Sequence, residues 1–137
     1  MRERILSKID ELSGYLEELE SIKPENFEEY ESLKTKRACE RLLQISVECV
    51  VDICNMIVSE KKLGAPADEE DIIAKLTKAK IIPKKLSETI REMRGTRNIL
   101  VHKYGYIDDK IIYKTLDENI RDFDKFIEFV LKFLKNK

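Results

Sequence analysis

The chain has 137 residues, with 26 Lys+Arg against 27 Asp+Glu and a single His, a length that suits one domain over 1–137 and excludes two full ones. Four Gly, three Pro, no Trp, 42% apolar and 39% charged residues describe long regular elements with few turns, not a disordered or fibrous chain. A net charge of −1 leaves no bulk field for nucleic acid or an anionic membrane, and one His excludes a metal site built from several imidazoles of one chain.

Ile5, Ile9, Leu12, Leu16 and Leu19 recur at alternating spacings of four and three, which predicts a helix from about Arg2 to Ser21 with one apolar stripe. Pro24 interrupts it, and Asn26 followed by Glu29 has the pattern of an N-cap with its reciprocal partner. A second helix is expected from Phe27 to about Lys62. Its latter half is apolar around most of its circumference, from Leu42 to Val58, which predicts the central buried element. The exceptions, Arg37, Arg41, Gln44, Glu48, Asp52 and Asn55, repeat at helical spacing as one polar ridge. A solvated face accounts for such a ridge, and so does the lining of a cleft or a subunit interface.

Leu63-Gly64-Ala65-Pro66 is a loop, and Asp68 or Asp71 can cap a short helix through Ile72, Ile73, Leu76 and Ala79. Pro83 suits the first turn of a helix carrying Leu86, Ile90 and Met93. A last helix from Asp108 or Asp109 should present Ile112, Leu116, Ile120, Phe123, Ile127, Val130 and Leu134 to the core. The expected fold class is all-α: an antiparallel bundle of four to five helices.

Cys39, Cys49 and Cys54 are odd in number and show no C-x-x-C spacing, the pattern of buried reduced thiols. The first twelve residues alternate charge with apolar side chains and lack a signal peptide's core, and no apolar run approaches the ~20 residues that span a bilayer. A cytoplasmic protein without a membrane partner is expected.

Charge is unevenly distributed. Between Lys75 and Lys103 nine bases face two acids, whereas between Met1 and Glu31 ten acids face four bases. The basic stretch can attract a phosphate backbone, although a solvated helix face has the same composition.

The only His lies in Arg97-Asn98-Ile99-Leu100-Val101-His102-Lys103-Tyr104. Met93, Arg97, Leu100 and Tyr104 share a stripe, so Arg97 intrudes on an apolar face, a costly position unless it meets a partner, a cleft or an anion. Asn98 and His102, four apart, lie on an adjacent stripe and can touch. Arg97 and His102 are separated by about 140° around an ideal helix. Capping of helix-end carbonyls explains a lone His in such a place. Together with Arg97 it also offers a guanidinium for phosphate and an imidazole for proton transfer, the groups that RNA cleavage by 2′-hydroxyl attack needs. One His cannot easily serve as both base and acid, whereas a two-fold dimer would bring two copies together.

The motif R-x4-H-x-Y, as Arg97, His102 and Tyr104 with Asn98 after the Arg, resembles the signature of HepT-like toxins in the HEPN (higher eukaryotes and prokaryotes nucleotide-binding) superfamily. The resemblance covers nearly the whole chain, through Arg37-Ala38-Cys39-Glu40-Arg41-Leu42-Leu43-Gln44 with Glu48 and Asp52, the Leu63-Gly64 turn with Pro66, and the run from Met93 to Tyr104. It implies a homodimeric HEPN-like bundle acting as a metal-independent endoribonuclease toxin, without a cofactor, paired with a minimal nucleotidyltransferase antitoxin. It further implies that Arg97 and His102 form a composite active site at the dimer cleft, that Asn98 supports it, and that Tyr104 receives AMP from the nucleotidyltransferase. A non-catalytic module binding a nucleotidyltransferase or a nucleotide through the same cleft is the competing expectation.

Overall fold

The computed structural model describes residues 1–102 and 108–136, with His102 described by its backbone alone. Among the described residues the chain is all-helical: α1 (Arg2–Ile22), α2 (Phe27–Glu31), α3 (Leu33–Glu60), α4 (Glu69–Lys78), α5 (Lys84–His102) and α6 (Asp109–Lys135).

The five apolar positions of the α1 stripe, Ile5 to Leu19, are all buried, so the periodicity alone located this helix and its inner face. The Asn26 side chain accepts from the Glu29 amide at 2.8 Å, and the Glu29 carboxylate accepts from the Glu25 amide at 2.8 Å. Instead of one helix from Phe27 to Lys62, the chain forms one turn and a long helix, separated at Ser32 (φ −53°, ψ 126°). The reason is tertiary. Tyr30 is fully buried and its ring packs against Phe27 and Tyr113 with centroids 6.4 and 5.8 Å away, which ties α2 to α6. Among the described residues five helices of ten or more residues and this turn therefore stand where four or five helices were expected.

The central helix α3 buries Leu43, Val47, Val50, Ile53, Ile57 and Val58, and it packs against α1, α4 and α5. No uninterrupted apolar run in it approaches ~20 residues, but by length and composition Leu33–Glu60 is apolar enough to cross a membrane, an 18-residue window of it having a mean hydropathy of 1.6. The other helices cover much of that apolar surface. Cys39, Cys49 and Cys54 are free and buried in α3, and burial pushes their thiols up to about 11, 11 and 12. They are inert core groups at neutral pH.

The short α4 opens on a reciprocal cap. Asp68 accepts from the Asp71 amide at 2.8 Å while the Asp71 carboxylate accepts from the Ala67 amide at 2.9 Å. Asp108 caps α6 by accepting from the Lys110 amide at 3.0 Å. Ile112, Leu116, Phe123, Val130 and Leu134 are buried as expected, joined by Phe126, while Ile120 and Ile127 are only partly covered. Two ties show that α1 and α6 run antiparallel: Arg2 donates to the Leu134 carbonyl at 2.8 Å, and at the other end Lys23 meets Asp117 at 2.7 Å. The helices thus leave α5 packed on α3, α4 and α6.

Candidate functional site

The candidate site is built on α5. Met93 and Leu100 are buried on the stripe predicted to face the core, and Arg97 between them is only 8% exposed. Its aliphatic stem borders a narrow crevice with Leu43 and Val47 of α3, Met93 and Thr96 of α5, and Asn119 and Phe123 of α6. A guanidinium in such surroundings requires a partner of its own.

Two partners meet it. The Arg97 Nε donates to the neighbouring Asn98 side chain at 2.9 Å, and its Nη2 donates to Glu69 Oε1 at the start of α4. The same Glu69 oxygen accepts from Arg94 Nε at 3.2 Å. Glu70, one residue along, accepts from Arg94 Nη1 at 3.0 Å and pairs with Arg91 Nε. Arg91, Arg94 and Arg97, spaced by three on α5, thus face the acidic first turn of α4. Burial works to raise the Glu69 carboxyl, but the hydrogen bonds and positive charge of Arg97 and Arg94 outweigh it and hold the group below its ordinary value.

This pairing corrects the picture of a basic α5. The stretch from Lys75 to Lys103 begins just after Asp68, Glu69, Glu70 and Asp71, and the fold returns two of those acids to the helix. In these ion pairs three guanidiniums share two carboxylates, beside the Asp68 cap and Asp71 of the same end of α4. Neither Glu69 nor Glu70 was expected from the sequence as an Arg partner. The available signal was the charge costly to bury at Arg97, which demanded an acid from elsewhere in the chain.

Asn98 is beside Arg97 and accepts from it; the expectation that it would touch His102 concerns a side chain outside the described residues, as Tyr104 also is. The ridge of α3 does not converge on Arg97 within one chain. Leu43 and Val47, which share the crevice with Arg97, point about 115° away from the middle of that ridge on an ideal helix. Its members find other partners: Arg37 donates to the buried Glu40 at 2.9 Å, Gln44 to Glu48 at 3.3 Å, and Asp52 pairs with Lys8 of α1 at 3.5 Å. Arg41 lies exposed on the same ridge. Among the described residues no group of three or more His, Cys, Asp or Glu side chains could hold a metal ion.

The arrangement of the bundle is similar to that of the tri-AMPylated Shewanella oneidensis HEPN toxin, solved in complex with MNT antitoxin. The TM-score is 0.86 at 24% identity, over 93% of this chain and 96% of that one. The fold is therefore that of the HEPN toxins. The family described as Ribonuclease HepT-like matches residues 12–130, and the chain belongs to that family. It is 32% identical over 88 residues, 64% of this chain and 66% of the relative, to a Shewanella oneidensis protein named mRNA nuclease HepT. It is also 30% identical over 119 residues, 85% of this chain and 89% of the relative, to a putative RNase of Archaeoglobus fulgidus.

Proposed function

We propose that this chain is the toxin of a toxin–antitoxin pair. In this reading it is a metal-independent endoribonuclease that works in the cytoplasm as a homodimer and is silenced by a minimal nucleotidyltransferase. The observation that carries the reading is the guanidinium of Arg97, held by Asn98 on an otherwise apolar helix face of a HepT-like chain, five residues before its only histidine. The nuclease names of the relatives and the MNT complex of the HEPN toxin support it.

In this mechanism Arg97 holds the scissile phosphate and stabilises the charge that builds on its oxygens as the 2′-hydroxyl attacks. His102 of one protomer takes the 2′-hydroxyl proton. His102 of the partner subunit gives a proton to the departing 5′-oxygen, which leaves a 2′,3′-cyclic phosphate and a 5′-hydroxyl. Each imidazole then needs to be in the opposite protonation state, which an ordinary His supplies near neutral pH. Silencing follows from charge and bulk. The Tyr104 hydroxyl attacks the α-phosphate of ATP, pyrophosphate leaves, and the new phosphodiester places a negative charge near the groups that receive RNA phosphate.

A second reading is favoured by one feature: Arg97 is nearly covered and already paired with Glu69 in the single chain. A non-catalytic module that binds a nucleotidyltransferase or a nucleotide would keep it so. Expression of the chain alone in a bacterial host separates the two. Growth arrest that His102→Ala abolishes is the expected result; harmless expression combined with tight binding of the nucleotidyltransferase would replace the toxin with the module.

A further inference from the structure

We propose that Glu69 is the positioning residue for Arg97, fixing the guanidinium in the orientation that receives phosphate; this rests on the nuclease reading above. Two contacts hold the guanidinium, at two of its three nitrogens. Asn98 takes Nε at 2.9 Å and Glu69 takes Nη2, and neither contact uses Nη1. A long, rotamer-rich side chain held at two points loses most of its freedom before substrate arrives, and that preorganisation is what transition-state stabilisation by a fixed charge requires. Glu69 is itself held: it opens α4 immediately after the Asp68 cap, and its Oε1 also binds Arg94 at 3.2 Å.

The alternative role for a carboxylate on this guanidinium is a plug that occupies the phosphate site. The sharing of Glu69 decides between them. If Glu69 met Arg97 alone, the pair would be neutral and Arg97 would attract phosphate weakly. Because Glu69 also pairs with Arg94, its one charge is divided between two guanidiniums and Arg97 stays anchored without being fully neutralised. Arg94 thereby acts as the counter-charge that lets a carboxylate orient Arg97 without cancelling it. Glu70 provides an internal control, since it pairs with Arg91 and Arg94 across the same two helices without an ion pair to Arg97.

The test measures cleavage of a mixed-sequence single-stranded RNA carrying a fluorophore and a quencher, with kcat and KM determined separately for wild type, Glu69→Ala, Glu69→Gln, Glu70→Ala and Arg97→Ala. Positioning predicts that Glu69→Ala lowers kcat by roughly 10–100-fold with KM within about threefold, that Glu69→Gln recovers part of the loss, and that Glu70→Ala stays within about twofold of wild type. The Arg97 Nε–H resonance, observed by NMR, should persist in Glu70→Ala and broaden or vanish in Glu69→Ala. Equal kcat in Glu69→Ala and Glu70→Ala would overturn the positioning role, and a faster Glu69→Ala would establish the plug instead. If Glu69→Ala folds poorly, the isosteric Glu69→Gln carries the same comparison. Undiminished cleavage by Arg97→Ala would bring down the nuclease reading itself, and the role of Glu69 with it.

Discussion

Replacing Arg97 with Met separates what this side chain does for the fold from what it does for chemistry. The Arg97 side chain is 10% exposed and Glu69 37% exposed, so the pair is buried on one side only. Met has a similar length and suits the crevice between Leu43, Val47, Met93 and Phe123. Removing one partner of a fully buried ion pair costs about 3–5 kcal/mol, because the other charge is left uncompensated. Here Glu69 keeps Arg94 as a partner and its side chain is 37% exposed, while Met retains the apolar packing, which brings the cost down to about 0–1 kcal/mol. At roughly 3 °C per kcal/mol for a chain of this size, Tm should hold or fall by up to about 3 °C. RNA cleavage should fall at least ~100-fold, because the charge on the phosphate is gone. Arg97→Ala should instead cost about 1–3 kcal/mol, through the space left when the buried stem is removed. Thermal melts followed by circular dichroism, with the RNA assay on the same preparations, test this. A fall in Tm of more than about 6 °C in Arg97→Met, some 2 kcal/mol, would show that Arg97 is retained for stability and would refute the reasoning.

Incubation with the nucleotidyltransferase and ATP should add the mass of AMP to the wild type and leave Tyr104→Phe unchanged by mass spectrometry; equal labelling would move the acceptor elsewhere, with Tyr106 the nearest candidate. The Glu69 carboxyl titrates below its ordinary value of 4.5 in the folded chain, so its contribution to stability is present above that value and lost as pH falls through the depressed one. Glu69→Gln should therefore flatten the acid limb of a stability–pH curve below about pH 4.5, by no more than about 1 kcal/mol for so exposed a group, and an unchanged limb would contradict the pairing. Asp68→Ala removes the α4 cap and should cost about 1 kcal/mol, or about 3 °C in Tm; because Glu69 begins that helix, kcat should fall as well.

How much of this was visible in the chain itself depended on the range of the interaction. The α1 stripe, the Asn26 cap and the long α6 follow from spacing and local hydrogen bonding and were legible, whereas the α4 cap stayed open between Asp68 and Asp71 and the start of α6 between Asp108 and Asp109. The break at Ser32 was not, because no Pro or Gly marks it and its cause is the packing of Tyr30 against Tyr113 from the far end of the chain. Phe126 was missed for a related reason: α6 buries a face wider than the single track of residues traced along it. At the site, the intrusion of Arg97 on an apolar stripe was evident from helical periodicity. Its partner Glu69 comes from another helix, 28 residues away, and only the docking of α4 on α5 reveals it. The pairing of Arg91 and Arg94 within the basic stretch was hidden for that reason also, since a charge count along the chain cannot anticipate which acids the fold brings back.

The central claim, that Arg97 and His102 cut RNA without a metal, is tested most directly by the purified chain in excess EDTA, with the ends of the RNA fragments analysed. The account predicts cleavage undiminished by EDTA, leaving 2′,3′-cyclic phosphate and 5′-hydroxyl ends, and a loss of at least ~100-fold in both Arg97→Ala and His102→Ala. Cleavage that EDTA abolishes, or that both variants retain at the wild-type rate, would contradict it.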